Sequence, residues 1–274
     1  MTKPCNWKGT AFNTSPQSAN EIHSDAMARS YGFRGGLVPG VTVSAYLTHP
    51  AVAAWGLDWL EHGGAKVSIL NPTYDGDSFA VALDNVTDSG YQATLTDAGG
   101  TVTASAEVYR DHQRPAPILR GDTLLQPDST APTAIPATMY EMRKHGMSAL
   151  AINWRAGVEM ESYLKNAAAM APSHAPTSTG PGFANTAFLL GLSNWVLADN
   201  VSMNPWIHMQ TQSWNYAAVK PNTRLTVECT ITDLFSRKGH EFVDVEVNAF
   251  NADNSQPVIT IMLRAIYRVR AAAN

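Results

Sequence analysis

The stretch LVPGVTVSAYLTHPAVAAWGLDWLE, residues 37–61, has few charged side chains and is followed by the glycine pair Gly63-Gly64. A helix that is apolar nearly all round must be buried nearly all round, so this stretch predicts a central core helix. Pro39 suits the first turn of a helix, where its missing N–H costs nothing. Pro50 would remove an internal hydrogen bond, and it predicts a break into two helical pieces.

Strand patterns follow this helix. Apolar residues alternate within residues 66–83, and an interruption at 71–77 predicts a bulge or kink in that strand. Residues 91–96 and 101–109 predict a hairpin, because turn-forming residues separate two alternating runs.

The C-terminal half repeats this order. FANTAFLLGLSNWVL, residues 183–197, predicts a second apolar helix. Strand patterns then cover residues 206–235, with a break at 220–222, residues 240–250 and residues 258–269. Placing residues 79–81 over 225–227 aligns the two interruptions, which indicates an approximate duplication of element order.

An apolar helix followed by antiparallel strands predicts an α+β fold in which a sheet wraps around the helix. Two such modules can pair their sheets edge to edge, which removes an exposed strand edge. Prolines are dense between the two halves. The predicted organisation is therefore an N-terminal module, 1–112, a Pro-rich linker, 113–140, and a C-terminal module, 141–274.

Composition limits the classes of partner. The 274 residues carry a formal net charge of −4 and no long basic run, so nucleic acid is not expected. No apolar stretch is long enough for a membrane span, and the N-terminus lacks the apolar core of a secretory signal. Cys5 and Cys229 are expected to be reduced thiols in a cytoplasmic protein. The histidines show no metal-site spacing, so neither a metal nor another cofactor is expected.

Three phrases in the N-terminal half carry a family resemblance. They are NEIH at 20–23, AMARSYGFRGGLVPG at 26–40 and NPTYDGD at 71–77. In this order they resemble the D-x-N-P-x-H, G-F-x-G-x-I-x-H-G and N-P-V-Y-x-G-D motifs of MaoC-like acyl-thioester hydratases and dehydratases. The resemblance implies two fused hotdog modules, each with an antiparallel sheet wrapped around a long helix. No such motif occurs in the C-terminal half.

The resemblance also implies a reaction, the reversible addition of water to a 2-enoyl thioester. His23 would be the general acid or base, because an imidazole titrates near neutral pH. The backbone N–H of Gly40, at the start of the central helix, would polarise the thioester carbonyl. Asn20 would cap the short helix and position water.

Tyr31 and Arg34 are candidate substrate-binding residues in the same stretch. Arg34 would meet a phosphate of coenzyme A, with a solvated loop arginine as the alternative. Asp25 is two residues past His23 and is expected to face away from it on a helix.

The motif departs from the family at the position of its catalytic Asp, which is Ser18 here. A serine hydroxyl does not accept a proton at neutral pH without a neighbouring base. Glu21 replaces the family's Pro, and Pro39 stands where the family often has His. Ser18 is therefore retained as a candidate catalytic residue within an incomplete acid–base pair.

Three functions remain open. We expect an enzyme, a MaoC-like lyase acting on an acyl thioester or a related α,β-unsaturated carbonyl compound. A diverged enzyme of the same fold would perform another conjugate addition, a cyclisation or an isomerisation. A non-catalytic chain would bind an acyl ligand or act as a structural hotdog subunit. The fused pair would stand alone or form a homodimer.

Overall fold

One antiparallel sheet of ten strands runs through the whole molecule. The structure is a computed structural model and describes residues 2–111 and 113–270. In the first half the elements are β1 (Trp7–Thr10), a 3-10 turn (Glu21–His23), α1 (Asp25–Ser30), α2 (Gly40–Trp55), α3 (Leu57–His62), β2 (Gly64–Ile69), β3 (Ser78–Asp84), β4 (Gly90–Asp97) and β5 (Val102–Tyr109). In the second half they are α4 (Pro136–His145), β6 (Leu150–Asn153), a 3-10 turn (Ala167–Ala169), α5 (Thr186–Asn200), β7 (Ile207–Asn215), β8 (Arg224–Arg237), β9 (His240–Asn251) and β10 (Pro257–Arg268).

The strand order is nearly symmetric about the middle of the sheet. Its first five strands are β1-β3-β4-β5-β2, and the next five are β7-β10-β9-β8-β6. The halves join where β2 pairs with β7, from Gly64 opposite Trp214 to Ser68 opposite Gln210. Val81 in β3 pairs with β1, and Val227 in β8 pairs with β6. The predicted alignment of residues 79–81 with 225–227 is thus confirmed.

The interruption at residues 71–77 is not a bulge within one strand, so that prediction was wrong. β2 lies between β5 and β7, whereas β3 lies between β1 and β4. The chain therefore crosses from the middle of the sheet towards its edge. Residues 216–223 make the matching crossing from β7 to β8. Each strand buries one face, so alternation alone cannot separate a kinked strand from two distant strands.

The two central helices, α2 and α5, form the core of their halves. Both are buried on nearly every side, as the lack of a polar stripe in the sequence predicts. Among the largest fully buried side chains are Tyr46, Leu47, Phe188, Leu190 and Leu192. Within the described residues, no helix has the length and apolar character needed to cross a membrane.

Pro50 does not break α2, contrary to the sequence prediction, and the helix instead ends before Gly56. A proline at position 50 leaves the carbonyl of Tyr46 without its usual helical N–H donor. The indole Nε1–H of Trp7 donates to that carbonyl at 2.9 Å. The break comes at Gly56 because its φ of 56° suits a residue without a side chain.

Tyr91 forms hydrogen bonds with backbone groups of the next turn of the same helix. Its hydroxyl donates to the carbonyl of Leu47 at 2.9 Å and accepts from the N–H of Ala51 at 3.2 Å. A buried hydroxyl therefore bridges two backbone groups that are four residues apart in the helix. The helix continues through Pro50 because side chains from the sheet satisfy the freed backbone groups.

Tyr91→Phe should lower the free energy of unfolding by about 2–3 kcal/mol, because it strands a buried carbonyl and a buried N–H. Denaturant unfolding followed by circular dichroism measures this change. Tyr140→Phe is the control, since Tyr140 lies exposed on α4, and it should change stability by less than about 0.5 kcal/mol. Equal effects of the two substitutions would contradict the bridging role of Tyr91.

The predicted linker, 113–140, is helical at its end and is bound to the sheet nearer its start. Its last residues belong to α4, which begins at Pro136. Its first part is attached to the sheet through Glu228 of β8, which is fully buried. The Glu228 carboxylate accepts three backbone N–H bonds, from residues 120, 121 and 122, at 2.8, 2.7 and 3.0 Å. Residue 112, the predicted end of the first module, and the last residues, 271–274, lie outside the described residues.

Candidate active site

A small cavity lies at the N-terminus of α2, where β7 of the second half meets the first half. Its volume is about 50 Å³, which is room for a few water molecules. The polar residues that line it are Asn20, His23, Thr73, Asn194 and His208. Gly40 also lines it and is the first residue of α2, where backbone N–H groups have no partner within the helix. The cavity thus receives the positive end of a helix dipole.

His23 is held in one tautomer by a backbone bond. Its Nδ1 lies 2.8 Å from the carbonyl oxygen of Leu37. A carbonyl only accepts, so Nδ1 carries the proton and Nε2 keeps its lone pair. Burial lowers the pKa of His23 below its usual value, and the bond to Leu37 opposes this shift only in part. The imidazole is therefore neutral at pH 7 and suited to accept a proton at Nε2.

Asn20 stands at the N-cap position of the 3-10 turn, as predicted, but its side chain makes no capping bond there and joins the two halves instead. Its Nδ2 instead donates to the carbonyl of Trp206 at 3.0 Å, and its Oδ1 accepts from the Trp206 N–H at 3.3 Å. Nδ2 also lies 3.5 Å from Nε2 of His23. The amide consequently fixes the wall of the cavity beside the His23 ring.

The second half contributes a histidine that the sequence analysis missed. His208 of β7 is buried, and burial lowers its pKa to about 3. Its Nδ1 lies 3.3 Å from Oδ1 of Asn194 on α5, and its Nε2 bonds the hydroxyl of Thr211. A Cβ at Gly40 would lie 3.0 Å from three atoms of His208. Gly40 therefore permits the close approach between the helix start and this ring.

Three residues proposed from the sequence lie outside the cavity lining. The Ser18 hydroxyl donates to the backbone carbonyl of Asn20 at 3.3 Å. Tyr31 is exposed, and its hydroxyl donates to Glu21 at 3.4 Å. Arg34 forms an ion pair with Asp77 and lies 4.2 Å from the centre of the Tyr74 ring. Ser18, Tyr31 and Arg34 therefore make their contacts outside the cavity.

Asp25 bonds a backbone group near the start of the central helix. Its Oδ1 accepts from the backbone N–H of Gly36 at 2.7 Å. Among the described residues, the recorded hydrogen-bond partners of the His23 ring are Leu37 and Asn20, and neither is a carboxylate. The described parts of the chain hold no group of three potential His, Cys, Asp or Glu metal ligands.

Comparison with known proteins identifies the fold. No protein-family model matches the sequence, and no curated protein matches it significantly. Among solved structures, one described as a MaoC domain protein dehydratase from Chloroflexus aurantiacus J-10-fl superposes with a TM-score of 0.58 at 12% identity, covering 99% of this chain and 97% of that one. A Mycobacterium tuberculosis protein described as having a double hotdog fold has a TM-score of 0.56 at 13% identity, covering 97% and 96%. The chain has a hotdog fold.

Solved structures similar to this chain also include one described as a thioesterase, from Novosphingobium aromaticivorans DSM 12444. Its TM-score is 0.54 at 11% identity, with 98% of both chains covered. Identities this low establish the hotdog fold alone.

The second helix of this hotdog fold has a closed N-terminus. Asn185 caps α5 by accepting from the Phe188 N–H at 3.2 Å. Its Nδ2 donates to the carbonyls of Met160 and Glu161, both at 2.9 Å. The Asn185 side chain thus closes the start of α5 with contacts inside the protein. The first residue of α2, Gly40, by contrast lines the cavity that contains His23.

A second histidine cluster lies farther along α2. The Tyr163 hydroxyl accepts from the Ala171 N–H at 3.0 Å and lies 2.8 Å from Nδ1 of His49. The ring of Trp7 stacks on His49 with centroids 4.1 Å apart. His174 is buried beside Tyr163, and neither of its ring nitrogens has a partner within the described residues. This cluster fixes the loop before α5 against the first half.

Proposed function

We propose that the chain catalyses the reversible addition of water to a 2-enoyl thioester or a related α,β-unsaturated carbonyl compound. One observation carries the proposal: the neutral imidazole of His23 and the first residue of α2 line the same cavity. His23 supplies a base, and Gly40 supplies a backbone N–H donor. Hydration of a conjugated carbonyl needs both.

A single histidine can both take up and return the proton that this reaction moves. Nε2 of His23 takes a proton from water as its oxygen bonds to C3 of the substrate. The N–H of Gly40 donates to the carbonyl oxygen, where enolate charge develops. The imidazolium then returns the proton to C2. The reverse sequence expels water, and no carboxylate at position 18 is required.

We infer that the substrate has a short acyl group, because the cavity holds only about 50 Å³. Val38, Ile69 and Trp206 supply apolar walls around the polar residues. We also propose that residues 1–112 and 141–274 are two fused hotdog modules, of which the first carries the reaction. The closed start of α5 supports this division of roles.

The test is to incubate the purified chain with crotonyl and longer enoyl thioesters. We expect the absorbance of the enoyl band to fall and the product to gain the mass of one water. Crotonyl thioester should react fastest because of the small cavity. Absence of any product with all enoyl thioesters would refute the proposal, and release of free thiol without hydration would indicate thioester hydrolysis instead.

A second candidate reaction is an isomerisation or another conjugate addition on the same substrate class. It is favoured by Ser18, which replaces the carboxylate of the resembled family and bonds the Asn20 carbonyl. A single base can move a proton between two carbons without activating water. A product of unchanged mass, with the double bond moved, would identify isomerisation.

A further inference from the structure

A buried threonine whose hydroxyl has no partner lines the cavity that contains His23. Thr73 is 6% exposed, and its Oγ1 has no hydrogen-bond partner within the described residues. A buried hydroxyl without a bond is destabilising, and a functional site is one place where such a group is found. Thr73 also stands where the resembled motif has Val, whereas Ser18 replaces the catalytic Asp. This chain therefore lacks the carboxylate of the family motifs and carries a hydroxyl where they have an apolar residue.

Hydrogen bonds hold Thr73 against the same segment that holds His23. The Val38 N–H donates to the Thr73 carbonyl at 2.8 Å, and Nδ1 of His23 lies 2.8 Å from the carbonyl oxygen of Leu37. Leu37 and Val38 lead directly into Gly40 at the start of α2. Two neighbouring residues thus anchor the base and the threonine. The space that both line is only about 50 Å³, so one water molecule in it can reach both side chains.

The other side-chain acceptors around the cavity are bonded within the protein. Oδ1 of Asn20 accepts from the Trp206 N–H at 3.3 Å. Oδ1 of Asn194 lies 3.3 Å from Nδ1 of His208, and the other nitrogen of that ring bonds a second hydroxyl. A water molecule that gives one hydrogen bond to the base needs another acceptor for its second hydrogen. Among the described residues that line the cavity, the side-chain acceptor left for that bond is Oγ1 of Thr73.

We propose that the Thr73 hydroxyl positions the water molecule that attacks C3 of the substrate. The inference rests on the proposed function and adds a residue to it. Nε2 of His23 accepts one hydrogen of the water and Oγ1 of Thr73 accepts the other, so a lone pair of the water oxygen faces C3. As the O–C3 bond forms, the first hydrogen moves to Nε2 and then to C2. The second stays on the oxygen as the hydrogen of the new hydroxyl group, and Thr73 is unchanged.

The first test replaces Thr73 with valine, which keeps the shape of the side chain and removes the hydroxyl. The kcat for crotonyl thioester hydration should fall by about tenfold, the effect of one hydrogen bond lost in the transition state. The KM should change little, because the thioester itself does not contact the hydroxyl. Thr73→Ser keeps a hydroxyl and should recover most of the lost rate. An unchanged kcat in Thr73→Val, or a raised KM at unchanged kcat, would overturn the proposal.

Thr103 of β5 provides a matched control. Its hydroxyl is also buried without a partner among the described residues, but Thr103 does not line the cavity. Thr73→Val and Thr103→Val should each leave the unfolding midpoint unchanged or raise it, because each removes a buried hydroxyl that bonds no protein group. Hydration should be slowed by Thr73→Val alone. Equal losses of kcat in the two variants would overturn the proposal, since a general effect of valine at a buried threonine would explain both.

A crystal structure of the protein locates the water directly and separates this inference from the proposed function. We expect an ordered water within about 3.2 Å of both Nε2 of His23 and Oγ1 of Thr73, and its loss in Thr73→Val. A cavity without that water, or with water that bonds only other groups, would overturn the inference. If the wild type hydrates crotonyl thioester and Thr73→Val is equally fast, the function stands and the inference falls. If no enoyl thioester is hydrated but the water lies between the two side chains, the function falls and the water site stands.

Discussion

Replacing His23 with asparagine is expected to lower kcat/KM for crotonyl thioester hydration by at least about 100-fold, within the range for loss of a general base. Asparagine places an N–H near the position of Nδ1, so the bond to the Leu37 carbonyl can be kept. What it removes is Nε2, the atom that accepts the proton. The unfolding transition should therefore move little while turnover is lost.

The pH profile adds a readout that a structural role would not affect. The base works in its neutral form, and burial lowers the pKa of His23. The acidic limb of kcat/KM should therefore lie below pH 6.5, the usual value for histidine. In the His23→Asn variant this limb should disappear from any residual activity. The control His62→Asn changes a partly exposed histidine on α3 and should leave kcat/KM and its pH profile unchanged. Turnover above one tenth of wild type in His23→Asn would exclude His23 as the base.

The second large expected effect is a loss of folding stability at acidic pH. Burial lowers the pKa of His174 and His208 to about 3 and of His49 to about 4, and His49 adds a smaller repulsive contribution at His174. In the unfolded chain each histidine titrates near 6.5, so below that pH the unfolded state binds more protons. Stability is therefore fully present above about pH 6.5 and is lost as pH falls towards 3 to 4.

The size of this loss follows from the pKa differences. At pH 5 each of the three buried histidines should cost about 2 kcal/mol, or roughly 6 kcal/mol together. The total stability of a domain is about 5–15 kcal/mol. We therefore expect a large fall in the free energy of unfolding between pH 7.5 and pH 5, measured by denaturant titration at both values.

His174 isolates one of these contributions. His174→Phe removes two buried nitrogens that have no partner among the described residues. The difference in unfolding free energy between pH 7.5 and pH 5 should shrink by about 2 kcal/mol. His145→Phe, at an exposed histidine of α4, is the control and should leave that difference unchanged. An undiminished pH dependence in His174→Phe would mean that the ring is not buried in its neutral form.

Much of the fold could be predicted from the sequence because its signals are local. The apolar runs at 37–61 and 183–197 predict buried helices, and alternation predicts most strands. The error at Pro50 arose because its repair comes from distant residues: Trp7 and Tyr91 are brought to the helix only by the sheet. The crossing at 71–77 was missed because the alternation of apolar residues within one strand does not indicate which other strand it pairs with.

The candidate site was located only in part for the same reason. His23 and Gly40 lie in contiguous motifs, whereas His208 stands alone in β7 and reaches the cavity through the pairing of β2 with β7. One signal was present: Asn194 lies in a helix that is buried on nearly every side, and a buried amide needs a partner. That partner is His208.

The closed start of α5 has a consequence for stoichiometry and for sequence change. One chain should bind one molecule of substrate, since Asn185 fills the equivalent place in the second half. In a pair of identical subunits every substitution occurs twice, so a residue that blocked one helix start would block both. In a single polypeptide the two halves can change independently. One half can carry the reaction while the other only stabilises the fold.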